Sequence, residues 1–164
     1  MSANADPGRR VLALWRRLSP LPLGRELFGL VFGSLVPYTG ALGARVLELE
    51  PGFVRAELRD RRGVRNHLAS VHALALANLG EMTSGLAMLT ALPPGMRGIV
   101  LSLHAEYAKK ARGRLVAECR ATPPTVAVDT EFDVRAEVRD AAGDVVATIT
   151  VRWKLGPGPP AGAR

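Results

Sequence analysis

Cysteine is almost absent: the 164 residues contain one, Cys119. A lone cysteine excludes an intramolecular disulfide framework, a thiolate zinc cluster and a CxxC redox pair, and gives no argument for secretion. It stands among alternating apolar residues, Leu115, Ala117 and Ala121, which marks it as a small core residue rather than a nucleophile. Aromatics are scarce too, at 5%, too few for the stacking platforms of a single-strand nucleic-acid binder. No apolar run reaches the roughly 18–20 residues of a membrane span. Pro20, Pro22, Arg25 and Glu26 interrupt any signal-peptide core between Arg16-Arg17 and Leu27 to Val36. Residues 1–36 therefore read as a packed N-terminal helical segment of a cytoplasmic protein.

What is plentiful is apolar content and positive charge. At 48% hydrophobic the chain can bury a substantial core, and its size suits one main domain. The net charge of +7 is compatible with nucleic acid, an anionic membrane surface or a polyanionic small molecule. Most arginines are isolated at alternating strand positions, the pattern of a solvated sheet face, so nucleic acid is not expected as a partner. Membrane-surface contact through the basic N-terminal helix is a lesser alternative.

The hydrophobic period switches repeatedly along the chain. Strands are predicted over residues 44–50 and 53–59, around the Pro51-Gly52 turn, and then over 99–107, 115–121, 126–138 and 145–153. Their clean alternation suits an antiparallel sheet with one wet face. Between the second and third strands, residues 70–91 are rich in Ala, Leu and Met and stop at Pro93-Pro94-Gly95, as a helix should. Leu74, Leu76, Leu79, Met82, Leu86, Met88 and Leu89 go nearly all round it, which marks a buried helix. The expectation is an α+β hotdog fold: an antiparallel six-stranded sheet wrapped around one long central helix, with an extra N-terminal helical segment. The hotdog domain spans 37–155, and the GPGPPAGAR tail, 156–164, is expected to be disordered. Periodicity alone leaves other α+β folds open.

Asn66, His67, His72, Asn78 and Glu81 interrupt an otherwise apolar stretch. Buried polar groups are costly unless paired. A carboxylate in mid-helix between Gly80 and Met82 should have a raised pKa and suit general-base or nucleophilic work. The bland readings are a Glu81 that pairs with an arginine or points into a dimer seam, and a helix-capping His72. His72 and Glu81 are nine residues apart, about 900° of helical rotation, and so face opposite sides of one helix.

The run Arg65-Asn66-His67-Leu68-Ala69-Ser70-Val71-His72-Ala73, with Glu81 nine residues after His72, resembles the active-site segment of hotdog acyl-CoA thioesterases of the phenylacetate-pathway and 4-hydroxybenzoyl-CoA type. In that family an Asn stands six residues before the motif His and an Asp or Glu nine after it. Tyr107-Ala-Lys-Lys-Ala also resembles the family's strand ending near the coenzyme A entrance, and the likeness covers roughly residues 40–154. It implies hydrolysis of an acyl-CoA thioester, of medium or long aliphatic acyl, by a homodimer, with pairing into tetramers left open. Glu81 would act as base or nucleophile, Asn66 would orient the reactants, the Ala73 N–H would polarise the carbonyl and His72 would shape the turn, with Glu81 supplied across the dimer. Lys109, Lys110, Arg112, Arg97 and Arg65 would contact coenzyme A, which enters only as part of the substrate. No metal or other cofactor is implied. The chain has His72-Ala73-Leu74 where the family has His-Gly-Gly, which keeps a non-catalytic acyl-binding protein as the alternative. The family's helper Ser or Thr has no counterpart at Val100, where Ser102, Thr83 or Ser84 would have to substitute.

Overall fold

The structure of the chain, a computed structural model, describes residues 7–158. Helices α1 (Pro7–Leu18), α2 (Gly24–Leu35) and α3 (Pro37–Ala41) lead into the hairpin β1 (Arg45–Glu50) and β2 (Phe53–Arg59). A 3₁₀ turn (Arg62–Val64) and helix α4 (Ala73–Ala91) follow, then β3 (Met96–Tyr107), β4 (Arg114–Arg120), β5 (Thr130–Arg139) and β6 (Val145–Pro157). The strands form one antiparallel sheet in the order β1-β2-β4-β5-β6-β3. At 1.5 Å per residue α4 is about 28 Å long, enough to carry the chain across a sheet roughly 24 Å wide, so β3 joins the far edge. This is the expected hotdog arrangement.

The sheet curls around α4. Val54, Ala56 and Leu58 of β2, Leu115, Ala117 and Cys119 of β4, Val134, Ala136 and Val138 of β5, and Ile149, Val151 and Leu155 of β6 are all buried. They meet Leu79, Leu86, Ala87 and Met88 of the helix in one core. Gly80 permits the closest approach: a Cβ there would lie 2.6 Å from Ile149 Cβ. Cys119 is a core residue as expected, and burial pushes its thiol up to about 12. The outer face is laced with ion pairs such as Arg152 with Asp133 and Arg55 with Glu48, which accounts for the arginines on alternating positions.

Several boundaries differ from the sequence expectation. α4 starts at Ala73 rather than residue 70, because His72 caps it in extended conformation. β5 starts at Thr130 rather than residue 126, after a segment in which Pro123 and Pro124 supply no N–H to a ladder. Gly156 and Pro157, expected in a disordered tail, complete β6 opposite Arg97 and Met96. The Gly158 N–H donates to the Gly95 carbonyl at 2.6 Å, and residues 159–164 lie outside the described residues. Among the described residues no helix is long and apolar enough to cross a membrane.

Candidate active site

The chain enters α4 through a tightly bonded loop. Asn66 Oδ1 accepts from the Leu68 N–H (2.9 Å), the Ser70 N–H (3.3 Å) and the Ser70 hydroxyl (3.1 Å). The Asn66 N–H donates to the Ser70 carbonyl at 2.8 Å. These bonds hold Ala69 at a φ of +52°, which a side chain rarely adopts. Asn66 therefore spends its oxygen on the loop and keeps its amide Nδ2 as the remaining donor.

His72 is the N-cap. Its Nδ1 accepts from the Leu74 N–H at 3.1 Å, which puts the proton of a neutral ring on Nε2. Its carbonyl accepts from the N–H groups of Ala75 (2.9 Å) and Leu76 (3.1 Å). The Ala73 N–H, first of the helix, has no acceptor among the described residues. Such a donor at the positive end of a helix dipole suits developing negative charge.

Glu81 lies about 13 Å farther along the axis from His72. Most of α4 is buried, but Leu74, Asn78, Glu81 and Gly85, at i, i+4, i+7 and i+11, form an incompletely covered stripe. No hydrogen bond or ion pair engages the Glu81 carboxylate among the described residues, and burial alone pushes its pKa above the ordinary carboxylate range. The expected alternative, an arginine partner, is not what the structure contains. Beside it Gly85 leaves a gap: a Cβ there would have Glu81 Oε1 at 3.9 Å and Trp153 Cη2 at 4.0 Å. Trp153 Nε1 is buried without an acceptor. The facing strand β3 presents Leu103 and Tyr107, 40% and 46% exposed, and the Tyr107 hydroxyl donates to the Ala73 carbonyl.

Asn66, His72 and Ala73 are thus together and Glu81 is apart from them within one chain. Asn78, Gly85, Tyr107 and Trp153 complete the surroundings. Asn78 carried a sequence signal, its spacing of three from Glu81, whereas Trp153 reaches the helix from the last strand and had none. The suggested helper hydroxyls do not serve: Thr83 donates to the Leu79 carbonyl (2.6 Å), Ser84 to the Glu81 carbonyl (2.9 Å), and Ser102 sits opposite Arg152 on the outer face.

The five basic residues do not form one free cluster. Lys109 is held by Asp140 (2.7 Å) and Asp144 (2.6 Å), and Arg65 by Asp60 (2.6 Å). Arg97 is bound to Asp129 at 3.0 Å and sits at the opposite end of β3 from Lys109, roughly 35 Å away at about 3.4 Å per residue. Arg112 Nε donates to the Ala69 carbonyl at 3.2 Å, tying the loop to the sheet. Lys110 has no ion pair among the described residues. Three of the five, Arg65, Arg97 and Lys109, thus have carboxylate partners.

The structural-genomics protein APC5556 superimposes with a TM-score of 0.80 at 22% identity, over 92% of this chain and 99% of that one. A protein of unknown function and probable thioesterase from Pseudomonas aeruginosa matches with a TM-score of 0.69 at 24% identity, over 84% and 97% of the two chains. The phenylacetic acid degradation protein PaaI from Thermus thermophilus, in a mutant form, matches with a TM-score of 0.62 at 24% identity, over 72% and 97%. No curated protein sequence matches the chain. These likenesses and the sheet wrapped on α4 make the fold a hotdog fold. A family model described as a domain of unknown function, DUF4442, matches residues 24–155, and the chain belongs to that family.

Proposed function

We propose that this protein hydrolyses acyl thioesters of coenzyme A as a homodimer. The observation that carries the reading is the Glu81 carboxylate, without a partner among the described residues, raised by burial, and set beside Gly85, where there is room for a methyl group between the carboxylate and Trp153. In the reaction Glu81 takes a proton from water as the oxygen attacks the thioester carbon, or attacks that carbon itself to form an anhydride that water then cleaves to free the acid. The Ala73 N–H stabilises the oxyanion, the Asn66 amide orients the reactants, and the C–S bond breaks as the departing thiolate takes up the proton that water gave, so that the carboxylic acid and coenzyme A thiol are the products. Lys110, without an ion pair among the described residues, would contact the phosphates. The name of the Pseudomonas neighbour, a probable thioesterase, supports this chemistry.

Two features support a shared site. Glu81 and Ala73 face different directions on one helix. Among the described residues the outer edge of β3 is unpaired, and Ile99, Leu101 and Leu103 along it are 40–58% exposed; a second copy pairing there would cover them. The apolar helix and the few polar residues around Glu81 favour a medium or long aliphatic acyl group.

The test is a panel of acyl-CoAs from acetyl to palmitoyl, with free thiol release, ligand binding and molar mass measured on the wild type and Glu81→Gln. A folded dimeric variant that binds substrate but has lost at least about a hundredfold in turnover is expected. Unchanged turnover would reject Glu81, and binding without thiol release by the wild type would establish the non-catalytic acyl-binding alternative, for which Ala73 in place of glycine speaks.

A further inference from the structure

Most of the exposed apolar surface falls into two groups. One surrounds the site just described: Leu68, Leu74, Ile99, Leu101, Leu103 and Tyr107. The other lies on α2 and its flanks, where Leu23 is 77% exposed, Leu27 46%, Leu30 73%, Leu35 70% and Tyr38 77%. Leu27 and Leu30 share one face of α2 by their spacing, and Leu23 is exposed at its N-cap. Phe28, on the opposite side, is fully buried against Trp15 of α1. An apolar stripe of this kind on a surface helix marks an interaction site.

Its surroundings decide the partner. α1 packs beside α2 through the edge-to-face contact of Trp15 and Phe28, ring centroids 5.1 Å apart. Leu12 and Trp15 are buried on one side of α1, and Arg9, Arg10, Arg16 and Arg17 are exposed on the other. Residues 7–44 carry five arginines and a single acid, Glu26, already bound to Arg45 at 2.8 Å. A two-fold contact between copies would set this arginine-rich face near its own image, which like charges oppose. An anionic bilayer instead receives the leucines in its interface and neutralises the arginines. The stripe also borders a cavity of about 460 Å³ between α2, α3 and the start of β1, walled by Leu30, Phe32 and Met82 and lined as well by Arg25, Arg59, Arg61 and by Arg45 with its partners Glu26 and Glu57.

We infer that the α1–α2 face is a docking surface for anionic phospholipid bilayers. The sequence suggested such contact only through the basic N-terminal helix; the structure shows that helix burying its apolar face, and assigns insertion to α2.

The experiment is co-sedimentation of the full chain with vesicles of phosphatidylcholine alone and of phosphatidylcholine with 30% phosphatidylglycerol, a composition set at about the anionic content of charged membranes. Binding to the anionic vesicles, weakened by raised salt, is expected. Leu27→Ser with Leu30→Ser should lower the partition coefficient at least about tenfold, and Arg16→Glu with Arg17→Glu should do the same while leaving the melting temperature unchanged. Equal binding to both vesicle types, binding to neither, or full retention by the leucine variant would overturn the inference. So would a fall in molar mass of the leucine variant in light scattering, because the stripe would then be a contact between copies.

Discussion

The Tyr107 hydroxyl at the end of β3 donates to the Ala73 carbonyl, 3.1 Å away, and so ties the open edge of the sheet to the first turn of α4. The bond joins the strand that a second protomer would complete to the helix end that would hold the substrate carbonyl.

Tyr107→Phe removes this bond alone. At a net value of about 1 kcal/mol for one hydrogen bond, the melting temperature should fall by about 2–4 °C. Turnover should fall further than that loss explains, with KM little changed, since the Ala73 N–H loses its brace. A variant matching the wild type in both calorimetry and kcat would sink this positioning role.

Glu81 links stability to pH. Burial raises its carboxyl above the ordinary value of 4.5 in the folded state. The neutral form is therefore favoured by folding, and its contribution is greatest below 4.5 and lost as pH rises through the elevated value. Glu81→Gln should melt above the wild type at pH 8, with the difference closing towards pH 4. The acid limb of kcat/KM in the wild type should fall above pH 4.5, at the same elevated value. Parallel melting curves across that range would rule out a buried, ionising Glu81.

Two glycines five residues apart on α4 should respond in opposite senses. A Cβ at Gly80 would lie 2.6 Å from Ile149, so Gly80→Ala should cost about 1–3 kcal/mol. A Cβ at Gly85 meets nothing closer than 3.9 Å, so Gly85→Ala should gain about 0.5–1 kcal/mol from helix propensity. Gly85→Leu should close the gap beside Glu81 and depress turnover of long acyl groups more than of acetyl. Chemical denaturation read with the acyl-CoA panel checks both, and equal effects at the two positions would contradict the geometry.

Much of the fold was legible because burial imposes a period. Cys119 among alternating apolar residues and the all-round apolar α4 each have one consistent environment. The boundaries that moved did so for local reasons: the His72 cap, the prolines before β5, and Gly156 and Pro157 finding partners on β3. The candidate site was legible only in part. Asn66, His72 and Ala73 are local in sequence, and their turn closes through bonds spanning a few residues. The cations were not, because a strand pattern does not reveal that Lys109 meets Asp140 and Asp144, or that Arg97 lies a strand's length from Lys110.

The sequence by itself determined the order of elements, the core face of each strand and the presence of one carboxylate in mid-helix, since these follow from side-chain period and solvation. Tertiary structure alone decided that Glu81 goes unpaired, that Trp153 and Gly85 open a gap beside it, and that α2 turns its leucines to solvent. Those outcomes depend on which distant surfaces meet, and hydrophobic period is blind to that.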